Sequence, residues 1–223
     1  MTLFANPSRA TRGRSMEGLT AAWYAHLTQH DMPAFAAEAE MIAARLAPGA
    51  RVLEIAPGPG YLAIALAGHP DVTVEAVDIS RSFVQIAQRN AARAGVTVAV
   101  RQGDVHALPY GDARFDFVVC RAAFKNFVRP ADALREMRRV LAADGEALIV
   151  DLRRDVSDAE IDRFVDDYTP SVINRLIMRR TFKGMLRPRA YDAVQFRQMA
   201  TEAGFSRCHV MQEAISLQVW LGR

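Results

Sequence analysis

Short apolar runs and amphipathic stretches alternate through most of the 223-residue chain. Arg51 to Ile55 reads as a strand, and Tyr61 to Ala67 follows as a helix closed by Gly68 in the position of a helix stop. The pattern then repeats. Val72 to Val77 predicts a strand, Ser80 a helix cap, Arg81 to Ala94 a helix ended by Gly95, and Val96 to Arg101 a third strand. Phe115 to Cys120 makes a fourth strand, Pro130 to Leu141 a helix and Glu146 to Leu152 a fifth strand. Strands and helices alternating at this spacing predict a parallel sheet covered on both faces.

The two ends of the chain differ from this middle. Residues 1–15 show no periodicity and suggest a mobile arm, whereas Met16 to Thr28, and then Pro33 to about Leu46, predict helices before the first strand. After the fifth strand, residues 153–191 carry helical periodicity with mixed polarity; an insertion there would sit above the carboxyl ends of the strands as a lid. Asp192 to Ala203 reads as a last helix stopped by Gly204. Arg207 to Gln212 and Ser216 to Gly222 lie too close together for anything but an antiparallel hairpin. The fold class is α/β: a mostly parallel seven-stranded sheet with an antiparallel C-terminal strand, N-terminal helices and a helical lid insertion. The chain divides as one domain into an arm (1–15), N-terminal helices (16–47), a core (48–152), the lid (153–191) and a last helix with its hairpin (192–223).

A hydrophobic content of 51% suffices for a sizeable core, and a net charge of +3 is too small an imbalance to imply nucleic acid. The basic residues are 26 arginines and only two lysines, Lys125 and Lys183. Cys120 and Cys208 lie in apolar stretches without paired or metal-ligand spacing and read as buried thiols. The first residues lack the apolar core of a secretory signal, and no run reaches the roughly 18 apolar residues of a membrane span; a cytoplasmic location is expected.

The loop Glu54-Ile55-Ala56-Pro57-Gly58-Pro59-Gly60 carries the chemistry. Glycines between a strand and a helix let the backbone approach a ligand and point N–H groups at a phosphate or a carboxylate, while Pro57 and Pro59 stiffen the loop and remove two donors. Gly58, Gly60 and Ala63 also satisfy a loose dinucleotide fingerprint, with Asp78 placed to bind a ribose, so two cofactor classes compete. Glu54, inside the strand end, would repel a pyrophosphate and would suit a sulfonium cofactor that carries an ammonium group.

Val52 to Gly60 resembles the first motif of class I S-adenosylmethionine (SAM) dependent methyltransferases. Ala76-Val77-Asp78-Ile79-Ser80 resembles the second motif. Gln102-Gly103-Asp104-Val105, Leu108-Pro109-Tyr110 and Phe115 to Val119 resemble the adenine-side motif and fourth strand, and Leu134 to Leu141 with Gly145 the helix and turn before the fifth. The resemblance covers about residues 45–152 and implies a Rossmann-like, doubly wound sheet. It implies further that Glu54, Ala56, Pro57, Gly58 and Gly60 hold the methionine end of SAM. Asp78 and Ile79 would take the ribose, Asp104 and Val105 the adenine, and Arg121 would line the cleft. Ala56 stands where the family has its first glycine. Ala123 to Phe127 contains a Lys125-Asn126 pair that resembles the Arg-Asn pair of the C-methyltransferases of ubiquinone and menaquinone synthesis.

On that resemblance Phe124, Lys125, Asn126 and Tyr191 are expected on the acceptor side, with Lys125 either holding an anionic or enolate oxygen or simply solvated. Tyr24 and His26 are candidates to close over the methyl donor, against readings as a core tyrosine and a surface histidine. Arg175, Arg179, Arg180, Lys183, Arg187 and Arg189 give the insertion a basic bias. The expected reaction moves a methyl group from SAM to a small molecule, giving S-adenosylhomocysteine (SAH), by in-line displacement. No metal is expected, because no His/Asp/Glu group has metal-ligand spacing and Arg121 stands where metal-dependent catechol enzymes carry a ligand. The Asn/Asp-Pro-Pro-Tyr signature of base-amino methylation is missing, which disfavours nucleic acid. An NAD(P)-dependent oxidoreductase, which here would lack a Tyr-x-x-x-Lys pair, and a non-catalytic SAM-binding protein are the alternatives; the acceptor atom and the oligomeric state, a homodimer included, stay open.

Overall fold

The computed structural model describes residues 16–169 and 171–223, so the arm expected at 1–15 lies outside the described residues. Strands β1 (Arg51–Ile55), β2 (Thr73–Asp78), β3 (Val98–Gln102), β4 (Phe115–Arg121), β5 (Leu141–Leu152), β6 (Arg207–Glu213) and β7 (Ser216–Gly222) form one sheet in the order β3-β2-β1-β4-β5-β7-β6. The first five are parallel; β7 runs antiparallel to β5, and β6 antiparallel to β7. The chain moves outward from β1 to β3 and then returns to β4 on the other side of β1. That reversal opens a crevice at the carboxyl ends of β1 and β4, where ligands bind in such sheets.

The helices are α1 (Leu19–Thr28), α2 (Met32–Ala43), α3 (Tyr61–Ala67), α4 (Arg81–Ala94), α5 (Pro130–Val140), α6 (Asp158–Tyr168), α7 (Val172–Thr181) and α8 (Ala193–Glu202). Alternating residues of the central strands face opposite layers, as the strand period requires. Val52, Phe117 and Val119 pack with Phe35, Ile42, Leu62 and Leu66 of α2 and α3. Leu53, Val118 and Ile149 pack with Leu134, Met137 and Phe196 of α5 and α8. Both faces are thus covered, which is why these strands are almost continuously apolar.

Local signals set most boundaries. Ser80 accepts the Phe83 N–H at 3.1 Å and Gly95 closes α4 at φ 71°, so α4 spans the expected residues. β5 is longer than expected and starts at Leu141, which pairs with Phe115. Ala142 to Gly145 has little strand propensity and takes no register partner on either side: the register steps from Leu141 opposite Phe115 to Glu146 opposite Phe117, so the stretch forms a bulge, with a Gly145 Cβ position only 3.0 Å from the Leu141 side chain.

The 153–191 segment is helical, as its periodicity predicts, with α6 and α7 followed by a π-helical turn at Phe182–Leu186 and a 3-10 turn at Arg187–Arg189. Ile161 and Val165 of α6 pack with Leu152, Val156, Ala190 and Ile215 in a small core of their own. Much of the basic bias of the segment belongs to internal ion pairs with the acids of α6: Arg179 with Asp166 at 2.6 Å, Lys183 with Asp162 at 2.8 Å and Arg187 with Asp158 at 2.5 Å. α7 buries none of its residues, and Val172, Ile173 and Leu176 are each about 70% exposed.

Gly60 tests how closely the layers approach. Its φ is 82°, and a Cβ there would sit 2.9 Å from the Ala87 Cβ of α4, whereas a Cβ at Gly95 would meet nothing within 4 Å. Gly60→Ala should lower stability by about 2 kcal/mol, against about 1 kcal/mol for Gly95→Ala. At about 2–4 °C per kcal/mol for a chain of this size, thermal melts will resolve the two. Equal shifts would contradict the close α3–α4 packing.

Candidate functional site

The loop between β1 and α3 keeps its N–H groups for itself. Ala56 donates to the Val77 carbonyl at 2.8 Å, Gly60 to the Pro57 carbonyl at 3.0 Å and Gly58 to Asp78 Oδ2 at 3.1 Å. The expectation that Gly58 and Gly60 aim donors at a ligand is therefore corrected: three turns of left-handed backbone, at Ala56 (φ 55°), Gly58 (φ 54°) and Gly60 (φ 82°), fold the chain so tightly that its donors are satisfied locally. Ala56 adopts the conformation that a glycine would take freely, at a cost of about 1 kcal/mol. Pro57 and Pro59 are buried, and Asn90 of α4 donates to the Pro59 carbonyl at 2.9 Å.

Asp78, at the end of β2, is 5% exposed. Its Oδ1 accepts the Ser80 N–H at 2.8 Å and its Oδ2 the Gly58 N–H, leaving lone pairs on both oxygens for hydroxyl donors. Burial pushes its pKa up to about 6, with the Ser80 and Gly58 N–H bonds opposing the rise. Ser80, not Asp78, caps α4, so these turn contacts leave Asp78 open to the expected ribose role.

Glu54 is 3% exposed, accepts a hydrogen bond from the Ala63 N–H, and leaves Oε2 buried without a partner. Burial, and after it the charge of Glu38, push its pKa up to about 8, against the pull of the Ala63 N–H and of Arg121. Arg121 does not bridge to Glu54. Its Nε donates to Glu38 Oε2 of α2 at 2.7 Å, and its guanidinium lies 4.6 Å from the centre of the Phe35 ring.

A narrow cleft lined by Ile55, Ala56, Val77, Ile79, Gly103, Asp104, Val105 and Phe127 opens beside these groups. A Cβ at Gly103 would lie 2.7 Å from Val77 Cγ2, so only glycine lets the chain pass there. Asp104 Oδ1 accepts the His106 N–H at 2.9 Å and faces His106 Nδ1 at 2.6 Å. The Arg129 N–H reaches His106 Nε2 at 3.3 Å, which places the ring proton on Nδ1, directed at Asp104. Sequence reading missed His106; an Asp-x-His spacing was its only signal. A broader surface depression, lined among others by Met41, Arg45, Glu146, His209 and Trp220, shares no residue with the loop.

This geometry has relatives. A methyltransferase-domain family matches residues 52–145. The uncharacterized methyltransferase YcgJ of Bacillus subtilis is 36% identical over 52% of this chain and 46% of its own length. A ubiquinone/menaquinone biosynthesis C-methyltransferase, UbiE of Geotalea uraniireducens, is 31% identical over 48% of this chain and 47% of its own. A structure provisionally described as an S-adenosyl-L-methionine-dependent methyltransferase, from Methanococcus maripaludis, superposes with a TM-score of 0.76 at 23% identity over 95% of each chain, which shows the shared fold. Residues 52–145 thus match a methyltransferase domain, and the chain is similar to the class I SAM-dependent methyltransferases. It spans a little under half the length of these two curated relatives.

For the residues expected on the acceptor side the structure corrects several expectations. Phe124 is fully buried among Phe127, Tyr191 and Phe196, with ring centres 5.1–5.8 Å apart, and Tyr191 is itself only 9% exposed; both belong to the core and not to a cleft wall. Lys125 is neither solvated nor free to hold an acceptor: its Nζ donates to Asp151 Oδ1 at 2.7 Å and to the Ala122 carbonyl at 2.5 Å, within the core. Asp151 Oδ2 also accepts the Lys125 N–H at 2.8 Å, so the pair pins the turn after β4 to β5. Asn126 is half-buried in that turn.

Of the two α1 candidates, His26 is exposed, while Tyr24 packs edge-on to Phe83 and lies 3.9 Å from where a Gly58 Cβ would be. Burial raises its phenol pKa, with Arg121 pulling the other way. Tyr61 Oη donates to the Ala25 carbonyl at 2.8 Å and Ser80 Oγ to the Met16 carbonyl at 2.8 Å, so α1 is held over the loop. Among the described residues no cluster of three His, Cys, Asp or Glu side chains could hold a metal, and no helix is long and apolar enough to cross a membrane.

Two outcomes follow for the buried charges. Lys125→Met leaves Asp151 buried without its partner and should cost about 3–5 kcal/mol, while Lys125→Met combined with Asp151→Leu should recover much of that loss in denaturant titrations. An equally damaging double variant would show that the pair acts through its hydrogen bonds to the turn. Because the folded state holds the Glu54 proton more tightly than the unfolded chain, its contribution to stability is full at low pH and is lost as pH rises from about 4 to about 8. Glu54→Gln should therefore gain stability relative to wild type between pH 6 and pH 9, by a few kcal/mol at most; a constant difference across that range rules out the raised pKa.

Proposed function

We propose that the protein binds SAM in the cleft formed by the ends of β1, β2 and β3 and transfers its methyl group, in line and without a metal, to a small-molecule acceptor, leaving SAH. One observation carries this reading: the loop keeps its N–H donors for itself while Glu54 presents a buried carboxylate oxygen without a partner. A pyrophosphate would find no free donors in the loop and a repelling carboxylate beside it. An ammonium finds its counter-ion.

In this reading Glu54 accepts from the ammonium of the amino-acid end, and Asp78 accepts two ribose hydroxyls on the lone pairs left over from Ser80 and Gly58. Ile79, Val105 and Phe127 sandwich the adenine, and Asp104 takes its amino group while His106 holds the carboxylate in place. SAM supplies an electrophilic methyl group on its sulfonium, so the chain's own work is to orient the donor, exclude water and align the acceptor. Tyr24 covers the loop from α1. Residues 153–191 form the lid of a single domain, and the Lys125–Asp151 pair holds the turn that borders the acceptor side. The names of the UbiE relatives make an electron-rich carbon the first acceptor class to assay.

A second reading, a SAM-binding protein without catalysis, draws on the engagement of Lys125 with Asp151, which leaves that predicted catalytic group tied down. Calorimetry should show SAM binding that Asp78→Ala weakens at least tenfold, and radiolabelled methyl transfer to an acceptor panel separates the two readings. Equal affinity in the variant sinks the ribose assignment. A nicotinamide cofactor purified with the protein overturns both readings.

A further inference from the structure

Two carboxylates, not one, are left with an unpartnered buried oxygen near the loop. Glu38 comes from the N-terminal helix α2, outside the motifs of the core; its side chain is 11% exposed, Oε2 accepts from Arg121 and Oε1 is buried without a partner. Glu54 Oε2, on β1, is in the same state. The two lie within electrostatic reach of each other, and Arg121 lies within reach of both. Tyr61, the first residue of α3, packs its ring 5.7 Å from Phe35, and Phe35 in turn carries the Arg121 guanidinium, so aromatic surface shields the group from water.

The charge count is unbalanced. Two carboxylates face one guanidinium, with Asp78 adding a further acid from the β2 side and Glu213 from the end of β6. Burying a surplus negative charge is unfavourable unless a cation or a proton meets it. The guanidinium is already hydrogen-bonded to Glu38, and no neighbouring Lys or Arg fills the other two oxygens.

Resting on the SAM reading, we infer that Glu38 is a second cofactor-binding carboxylate, which together with Glu54 receives the ammonium of the cofactor's amino-acid end. An ammonium has three donors and Glu54 offers one free oxygen; Glu38 Oε1 supplies another from the opposite layer. The N-terminal helices are then part of the cofactor site and not only a cover. Arg121, which the motif resemblance assigned to the cofactor, acts through Glu38 as a positioning residue that fixes which oxygen of the carboxylate stays free.

Titration calorimetry with SAH and with 5′-methylthioadenosine, which keeps the nucleoside but has no amino-acid end, tests this. Glu38→Gln retains an oxygen for Arg121 and should weaken SAH binding at least tenfold while leaving methylthioadenosine within twofold, and Glu54→Gln should act in the same direction. Should Glu38→Gln fold poorly by its thermal melt, Glu38→Asp keeps the charge, shortens the reach and should show the same selective loss. A Glu38 whose only role is to clamp α2 to β4 would change both ligands by one factor or neither, and that result overturns the inference while leaving the SAM reading intact. Wild-type protein that binds neither ligand overturns the SAM reading, and the role of Glu38 falls with it.

Discussion

A carboxylate placed where water cannot reach it has to be met by a proton or by a cation, and the site of this protein is organised around that requirement. Glu54 ends a strand that has neighbours on both sides and helices on both faces. Within the chain it is relieved by the N–H of Ala63 and, at longer range, by the charge of Arg121. The proton that burial draws onto it in the free protein is what a bound ammonium would replace. Helix α2, packed on the sheet through Phe35, Ala39 and Ile42, adds Glu38 and its partner Arg121 to the same charge set.

The scaffold makes this placement possible through sterics. Left-handed backbone at three of the five residues from Ala56 to Gly60 lets α3 begin immediately beneath the loop and lets α4 approach it closely. Compactness has a chemical consequence, because a loop that satisfies its own N–H groups is a poor cradle for phosphate. Asp78 links the two features, since the Gly58 N–H it accepts both shapes the loop and orients the carboxylate.

The acceptor side is built on different terms. The aromatic group of Phe124, Phe127, Tyr191 and Phe196 and the Lys125–Asp151 pair make the turn after β4 rigid, with its polar atoms satisfied. Beside it stands an insertion held to itself by ion pairs, with a Tyr168 to Asp31 hydrogen bond of 3.0 Å tying it to the segment between α1 and α2. Under the proposed reading, a stiff floor and a separately packed insertion would suit a site that aligns an acceptor and keeps water out.

The order of strands and helices, the caps at Ser80 and Gly95, the terminal hairpin and the tight turn from Ala56 to Gly60 could all be read from the sequence, because each rests on periodicity or on the backbone preference of a few adjacent residues. The family motifs likewise sit in one continuous stretch. The partners of the charges could not be read this way. Lys125 and Asp151 are 26 positions apart and Arg121 and Glu38 are 83 apart, and nothing local says that folding will bring either pair together. Tertiary packing also decided that Phe124 and Tyr191 belong to the core, that Arg175, Arg179, Lys183 and Arg187 of the insertion answer acids of α6, and that Glu38 receives Arg121. Local patterns report which way a residue faces within its own element; which buried charge meets another depends on how distant elements stack, and that is settled only when the layers close.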